Sequence, residues 1–291
     1  MTKIKNSIIV VIAFVLIYAC SESNPLIDNF DHSGQALKDS DTLIKYLSNH
    51  YYDAGVDSIK PIATGKTALI NDPNLKSQDV TEQEINYKLY YYVINQGIPN
   101  PTKGYPTQTD SILTKYTGSQ ITDTNFIEVF ESQNAAVWFT LDAVVRGWSY
   151  GFTHFKGGEN ITNNGPITYQ DTGKGFLFIP SGLAYRNSSG GSITPNSCLI
   201  FRFELMDIVE NTDHDNDGLA SYLELDGANT ETDPRKVDSD GDGIPNYKDT
   251  DDDNDGVPTI KEDANKDGDP RNDFSDPNNP TIPDYLNPKI K

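Results

Sequence analysis

Val144-Val145-Arg146-Gly147-Trp148-Ser149-Tyr150-Gly151-Phe152-Thr153-His154-Phe155-Lys156-Gly157-Gly158 is the stretch on which the fold turns. Val144, Trp148, Phe152 and Phe155 recur at i, i+4, i+8 and i+11, which aligns them on one face of a helix. Gly157-Gly158 predicts its end, because glycine closes helices at little conformational cost. The segments around it have a period of two instead. At 198–209, Leu199, Phe201, Phe203 and Leu205 share one face of a strand, and Arg202 and Glu204 point the other way. Residues 85–94, 111–116, 137–141 and 175–180 read as further strands, while the three prolines of 97–106 make that segment a connection. Many strands and one central amphipathic helix predict an α+β domain, an antiparallel sheet wrapped on that helix.

Working outward, Leu43, Ile44, Leu47 and Tyr51 have helical spacing behind Asp41, an acceptable N-cap. Residues 52–76 show no strong period. Residues 21–31 read as a tether. Lys3 and Lys5 precede an apolar run at 8–18 that is too short to cross a bilayer, and a small residue follows it, as in a secretory leader. Ile17-Tyr18-Ala19-Cys20 resembles the bacterial lipobox, whose cysteine is acylated and becomes the new N-terminus. The expectation is a lipid anchor at Cys20 in the cell envelope, and Ser21 is compatible with outer-membrane delivery. Cys198 sits in an apolar strand and reads as an inert core thiol.

The chain has 291 residues, 43 acidic and 23 basic, a formal net charge of −20 that excludes nucleic acid as a partner. Two cysteines exclude a disulfide-stapled scaffold, and 16 Tyr with 12 Phe argue for a folded core. The charge is uneven. From Asn211 onward there are 22 acidic and 8 basic residues, with few large apolar groups. Such a segment cannot order itself by burial alone, so bound cations are expected there. The expected divisions are a leader at 1–19, a tether and helical segment at 20–84, the α+β domain at 85–210, and an acidic segment at 211–291.

Four motifs of the domain resemble, in order, the FKBP-type peptidyl-prolyl cis-trans isomerases. They are Tyr116-Thr117-Gly118 followed by Phe126; Val144-Val145-Arg146-Gly147-Trp148; Ile179-Pro180-Ser181-Gly182-Leu183-Ala184-Tyr185; and Ile193 to Leu205. The resemblance implies a pocket with Trp148 as its floor, Tyr116, Phe126 and Phe201 as aromatic walls, and Val144 and Ile193 at the rim. It also implies that the Val145 N–H and the Tyr185 hydroxyl hold carbonyls of a proline-containing polypeptide. No catalytic cofactor is expected, since rotation about an imide makes no bond. Two departures stand out: Ile127 occupies the place after Phe126 where the family has an aspartate, and 159–174 is inserted between helix and strand. An idle binding module and a calcium-dependent surface spacer or adhesion protein remain open as alternatives.

Asp213-His214-Asp215-Asn216-Asp217-Gly218 with Glu224 fits D-x-[DN]-x-[DN]-G-x₅-E, the calcium-loop pattern. Asp238, Asp240, Asp242, Gly243 and Asp249 repeat it, as do Asp251, Asp253, Asp255, Gly256 and Glu262. Alternate carboxylates point at a hard cation and the seventh residue offers its carbonyl, here Leu219, Ile244 and Val257. Asp263, Asn265, Asp267 and Gly268 begin a fourth copy that lacks an acidic closer at Phe274. Pro245 and Pro258 at the eighth loop position argue against paired EF-hands, and the pattern resembles thrombospondin type 3 repeats.

Overall fold

A strand covered on both faces loses the apolar–polar alternation of a half-exposed sheet, and Phe176-Leu177-Phe178-Ile179, all buried, is such a run. The computed structural model describes residues 28–123, 126–225 and 231–291; the leader at 1–19 and Cys20 lie outside them. The compact unit is His32–Lys291. In chain order it holds α1 (His32–Asn49), β1 (His50–Asp53), β2 (Ser58–Pro61), β3 (Leu75–Glu82), β4 (Ile85–Asn95), β5 (Ser111–Asp123) and β6 (Phe126–Thr140). There follow α2 (Arg146–Gly151), β7 (Glu159–Asn160), β8 (Tyr169–Gln170), β9 (Gly173–Ile179) and β10 (Leu199–Val209). Six strands form one antiparallel sheet in the order β3-β4-β9-β10-β5-β6, which begins ahead of the expected start at 85.

Successive residues of β9 and β10 face opposite sides, and both sides are buried at 175–179 and 199–201, whereas Arg202 is exposed and Lys174 and Glu204 are half-buried. Leu177, Ile179, Leu199, Phe201, Phe203 and Leu205 pack with Trp148, Phe152 and Phe155. Phe176, Phe178 and Ile200 pack instead with Leu43, Tyr46 and Leu47 of α1. The sheet is therefore covered by two helices, one on each face, and not wrapped on a single one.

Both helices differ in extent from their sequence patterns. α1 starts at His32, so Asp41 lies inside it and is no cap. Its first half is held by polar contacts that hydrophobic spacing cannot reveal: buried Asp39 accepts hydrogen bonds from the Ser181 N–H (2.7 Å), the Ser181 hydroxyl (2.6 Å) and the Gln35 amide (2.7 Å). α2 ends at Gly151 and tightens into a 3₁₀ turn, Phe152–His154, well before Gly157-Gly158. Beyond that turn the sheet region captures the backbone, with the Lys156 N–H donating to the Gln96 carbonyl and the Gly158 N–H to that of Met206, both at 2.8 Å. The aromatic stripe is buried all the same. The 159–174 insertion forms the β7–β8 hairpin, and its Tyr169 hydroxyl donates to Asp207 at 3.0 Å.

The acidic segment is a run of loops and short 3₁₀ turns docked on the sheet domain. Arg235 forms a fork with Asp233, lies 5.5 Å over the Tyr150 ring and donates to Gln108 (2.8 Å). Lys248 (2.9 Å), the Tyr247 hydroxyl (3.3 Å) and the His214 ring (3.2 Å) converge on the buried Asp142 carboxylate, which immediately precedes the start of α2's approach.

Candidate functional site

The site is made by a fault in strand pairing. Gly118 of β5 pairs with Glu131 of β6, and the next residue, Ser119, pairs with Val129; Phe130 is the extra residue between them. Such a bulge re-aims a side chain, and here it turns Phe130 across Gly118 onto Phe201, ring centroids 5.7 Å apart and nearly perpendicular. A Cβ at Gly118 would stand 2.5 Å from the Phe130 ring and 2.8 Å from that of Phe201, so only glycine leaves room. Gly118→Ala is expected to cost about 1–3 kcal/mol, the usual penalty for overpacking, read as a lowered thermal midpoint. An unchanged midpoint would mean that the two rings move aside freely.

Trp148 lies at the bottom of a cleft of about 510 Å³, bordered by Tyr116, Phe130, Phe139, Phe201, Val144, Val145 and Tyr185. That volume is ordinary for a small-molecule or side-chain pocket. Around Trp148 the rings of Tyr116 (4.9 Å), Phe201 (5.1 Å) and Phe139 (5.4 Å) all stand edge-to-face, the arrangement aromatic quadrupoles prefer. The Trp148 indole N–H is buried with no hydrogen-bond partner. Burial raises the Tyr116 phenol pKa, and so does its hydrogen bond to Glu131. Tyr185, 39 % exposed, leans over the opening with its ring against Gly190. Val145 precedes the first turn of α2 in extended conformation, and its N–H has no acceptor among the described residues.

Tyr116, Val144, Val145, Trp148, Tyr185 and Phe201 thus meet in one place. Phe126 does not. It begins β6, is 68 % exposed, and its wall position is taken by Phe130. The reason is the bulge: counting from Tyr116 along the chain assumes an even hairpin, and the pairing slips three times along it. The apparent loss of an acidic neighbour at Ile127 disappears with the same correction, since Glu131 directly follows Phe130 and borders the cleft. The Phe130-Glu131 dipeptide was the available signal. Ile193 is buried in the adjoining core and does not line the cleft. Phe139 lines it and was missed, because a strand residue shows no sign of which bulge lies beside it.

The acidic loops share one frame. The first aspartate of each accepts the N–H of the sixth-position glycine: Asp213 from Gly218 (3.2 Å), Asp238 from Gly243 (3.0 Å), Asp251 from Gly256 (3.0 Å) and Asp263 from Gly268 (2.7 Å). All four glycines have φ between 88° and 98°, where a side chain is strained. The N–H groups of Leu219, Ile244 and Val257 are held in turn by Asp217, Asp242 and Asp255 (2.8, 2.7 and 2.8 Å). Within each of the first three loops the alternate aspartates bring one oxygen apiece to within 4.8 Å of the others: Asp213, Asp215 and Asp217; Asp238, Asp240 and Asp242; Asp251, Asp253 and Asp255.

These carboxylates are short of partners. Oxygens of Asp215, Asp217, Asp240, Asp253 and Asp255, and both oxygens of Glu224 and of Glu262, are buried without a hydrogen bond among the described residues. Burial first, then the charge of Asp217 and Asp215, pushes Glu224 up to about 10. Burial followed by Asp253 and Asp255 pushes Glu262 up to about 8. Asp249 is raised by burial and faces the charges of Asp242 and Asp240. The twelfth-position acids therefore turn toward their own loops. A hard cation with oxygen ligands fits this donor set.

No family model matches the sequence. Over 121 residues the chain is 31% identical to FkpA of Escherichia coli, an FKBP-type peptidyl-prolyl cis-trans isomerase, a match covering 41% of this chain and 37% of FkpA. The crystal structure of that FkpA aligns with 48% of this chain and 53% of its own at 27% identity, TM-score 0.35. FK506-binding protein 2 of Candida glabrata is 33% identical over 105 residues, with 35% of this chain and 67% of that protein covered. Outer membrane protein MIP of Legionella longbeachae is 29% identical over 121 residues, covering 41% of this chain and 44% of MIP. The chain thus spans little more than a third of the length of FkpA.

Proposed function

Because the chain belongs to the FKBP-type peptidyl-prolyl cis-trans isomerase family, we propose that it isomerises X-Pro bonds of polypeptides in the bacterial cell envelope, and that calcium orders its C-terminal loops. The observation that carries the first half is the cleft itself, with Trp148 ringed by Tyr116, Phe139 and Phe201 and closed by Phe130.

Amide resonance sets a barrier of about 18–20 kcal/mol to rotation, while the two prolyl isomers differ by only about 0.5–1 kcal/mol. A catalyst need only favour the twisted imide over both planar forms. Twisting reduces charge separation across the amide, so removing water from the imide favours that state. The ring-lined floor supplies such a surface for a prolyl ring. The Val145 N–H and Tyr185 hydroxyl would hold the flanking carbonyls and fix the chain about the turning bond. Glu131, tied to the Tyr116 hydroxyl, would stay at the wall and out of the apolar floor.

Phe130→Ala is expected to lower kcat/KM for a proline peptide about tenfold, a loss of about 1.4 kcal/mol in transition-state binding, while Phe126→Ala leaves it unchanged. Tyr185→Phe removes one hydroxyl donor and should cost about 0.5–1.5 kcal/mol of transition-state binding, the net worth of one hydrogen bond. Peptide isomerisation kinetics on the purified chain test this. No rate above the uncatalysed one in the parent would leave only a binding module.

For the loops, Asp213, Asp215, Asp217, Glu224 and the Leu219 carbonyl would hold the first ion. Asp238, Asp240, Asp242, Asp249 and the Ile244 carbonyl would hold the next. Asp251, Asp253, Asp255, Glu262 and the Val257 carbonyl would hold the third. Calcium supplies charge neutralisation and a coordination centre, and in extracellular modules it binds at about 10⁻⁴–10⁻³ M. The leader-like start and the lipobox-like Ile17–Cys20 support an envelope site with a lipid at Cys20. The similarity to a protein named as an outer membrane protein supports the same compartment.

A further inference from the structure

In the first three loops the residue at position two turns away from its own ion site and pairs with position nine. His214 meets the Ser221 hydroxyl (2.9 Å), the Ser239 hydroxyl accepts from the Asn246 amide (2.9 Å), and Asp252 accepts from the Thr259 hydroxyl (3.2 Å). Only the third loop carries a carboxylate there. Asp252 is 1 % exposed, and its other oxygen, Oδ1, has no hydrogen-bond partner among the described residues. That side chain reaches the first loop: Asp252, Asp217 and Glu224 bring one oxygen each to within 4.8 Å of one another. Glu224 is fully buried, and neither of its oxygens has a hydrogen-bond partner among the described residues.

We propose that Asp252 closes a further cation site with Asp217 and Glu224, placed between the first and third loops and taking a hard divalent ion such as calcium. This rests on the calcium reading of the loops and adds a site to it. The spacing suits one ion, since ligands on opposite sides of calcium at about 2.3–2.6 Å each lie about 4.6–5.2 Å apart. The oxygens are oriented. Asp217 Oδ1 is held by the Leu219 N–H (2.8 Å) and Asp252 Oδ2 by Thr259, which leaves Asp217 Oδ2 and Asp252 Oδ1 for a metal. Charge favours a second ion. Asp217, Glu224 and Asp252 are buried, Asp217 also belongs with the half-buried Asp213 and Asp215, and once ionised these five carboxylates carry more charge than a single divalent ion in the first loop offsets. Two ions sharing Asp217 and Glu224 nearly neutralise it. The shared site would staple the first loop to the third.

The test is calcium stoichiometry on the full chain by equilibrium dialysis, for the parent, Asp252→Asn, and Asp79→Asn, an exposed carboxylate on β3 outside the acidic segment, as a control. The expected result is one calcium fewer per chain in Asp252→Asn, with the other affinities within about twofold. Equal stoichiometry in Asp252→Asn and parent overturns the cross-loop site and leaves the loop sites standing. A parent that binds no calcium overturns both. Should Asp252→Asn fail to fold, anomalous diffraction from terbium-soaked crystals of the parent decides. A peak in contact with Asp252 supports the site, and peaks confined to the aspartate triads overturn it.

Discussion

Trp148→Ala should lower kcat/KM for prolyl isomerisation about a hundredfold, equivalent to about 2.7 kcal/mol of transition-state stabilisation. Four rings meet this indole, those of Tyr116, Phe139, Phe152 and Phe201, at centroid distances of 4.9–5.4 Å. Removing it leaves a wet hollow where the imide needs a dry floor, and the walls lose the surface that sets their angles. The same change should destabilise the fold by about 3–5 kcal/mol, so turnover is to be measured below the variant's own melting range. Trp148→Phe serves as partner, because it keeps an apolar floor and should recover most of the stability and part of the rate. Trp138, the second of the two tryptophans, is half exposed on β6, and Trp138→Phe should change neither quantity. Trp148→Ala retaining the parental rate within about twofold would remove the cleft from the mechanism.

The second large effect concerns metal removal. With chelator at pH 8, protease cleavage within 211–291 should rise at least about tenfold, a shift of about 1.4 kcal/mol in local opening. Millimolar calcium should reverse it, and a site of about 10⁻⁴ M contributes about 1.4 kcal/mol at that concentration. The pH dependence has a definite sign. Glu224, Glu262 and Asp252 stand at about 10, 8 and 9 in the metal-free fold, raised by burial and by the neighbouring carboxylates. Carboxyls raised above their unfolded values stabilise the fold fully only below those unfolded values, and this contribution is lost as pH rises through the folded ones. Metal-free protein should therefore resist protease better at pH 5 than at pH 8. Calcium should abolish or invert the difference, because its ligands must be ionised, and its addition near neutral pH should release protons. Calorimetry in two buffers of different ionisation enthalpy measures that release. Cleavage indifferent to calcium at both pH values would discard the ligand assignments.

Much of the site could be read from local chemistry. Leu199, Phe201, Phe203 and Leu205 alternate because a strand has a period of two, and they are buried together. Trp148, Phe152 and Phe155 share a face although the helix beneath them is only six residues long, because a 3₁₀ turn continues nearly the same side. The frame of the acidic loops was legible residue by residue, since each aspartate–glycine pattern closes within a dozen positions and its glycine meets a purely local demand on φ.

Three matters were decided by pairing across the chain. Phe130, and not Phe126, walls the cleft because a bulge opposite Gly118 shifts the register of β6, and bulges depend on the partner strand. α1 begins ahead of its apolar spacing because Asp39 reaches Ser181, a hydrogen bond between residues far apart in sequence. Asp252 meets Asp217 and Glu224 because separate loops fold against one another. By itself the sequence determined which residues are apolar, which loops carry carboxylates and how each short segment turns, since those follow from side chains a few positions apart. Only the tertiary structure decided which ring lines the cleft and which carboxylates come together, because contacts between distant segments depend on register and docking that no local period records.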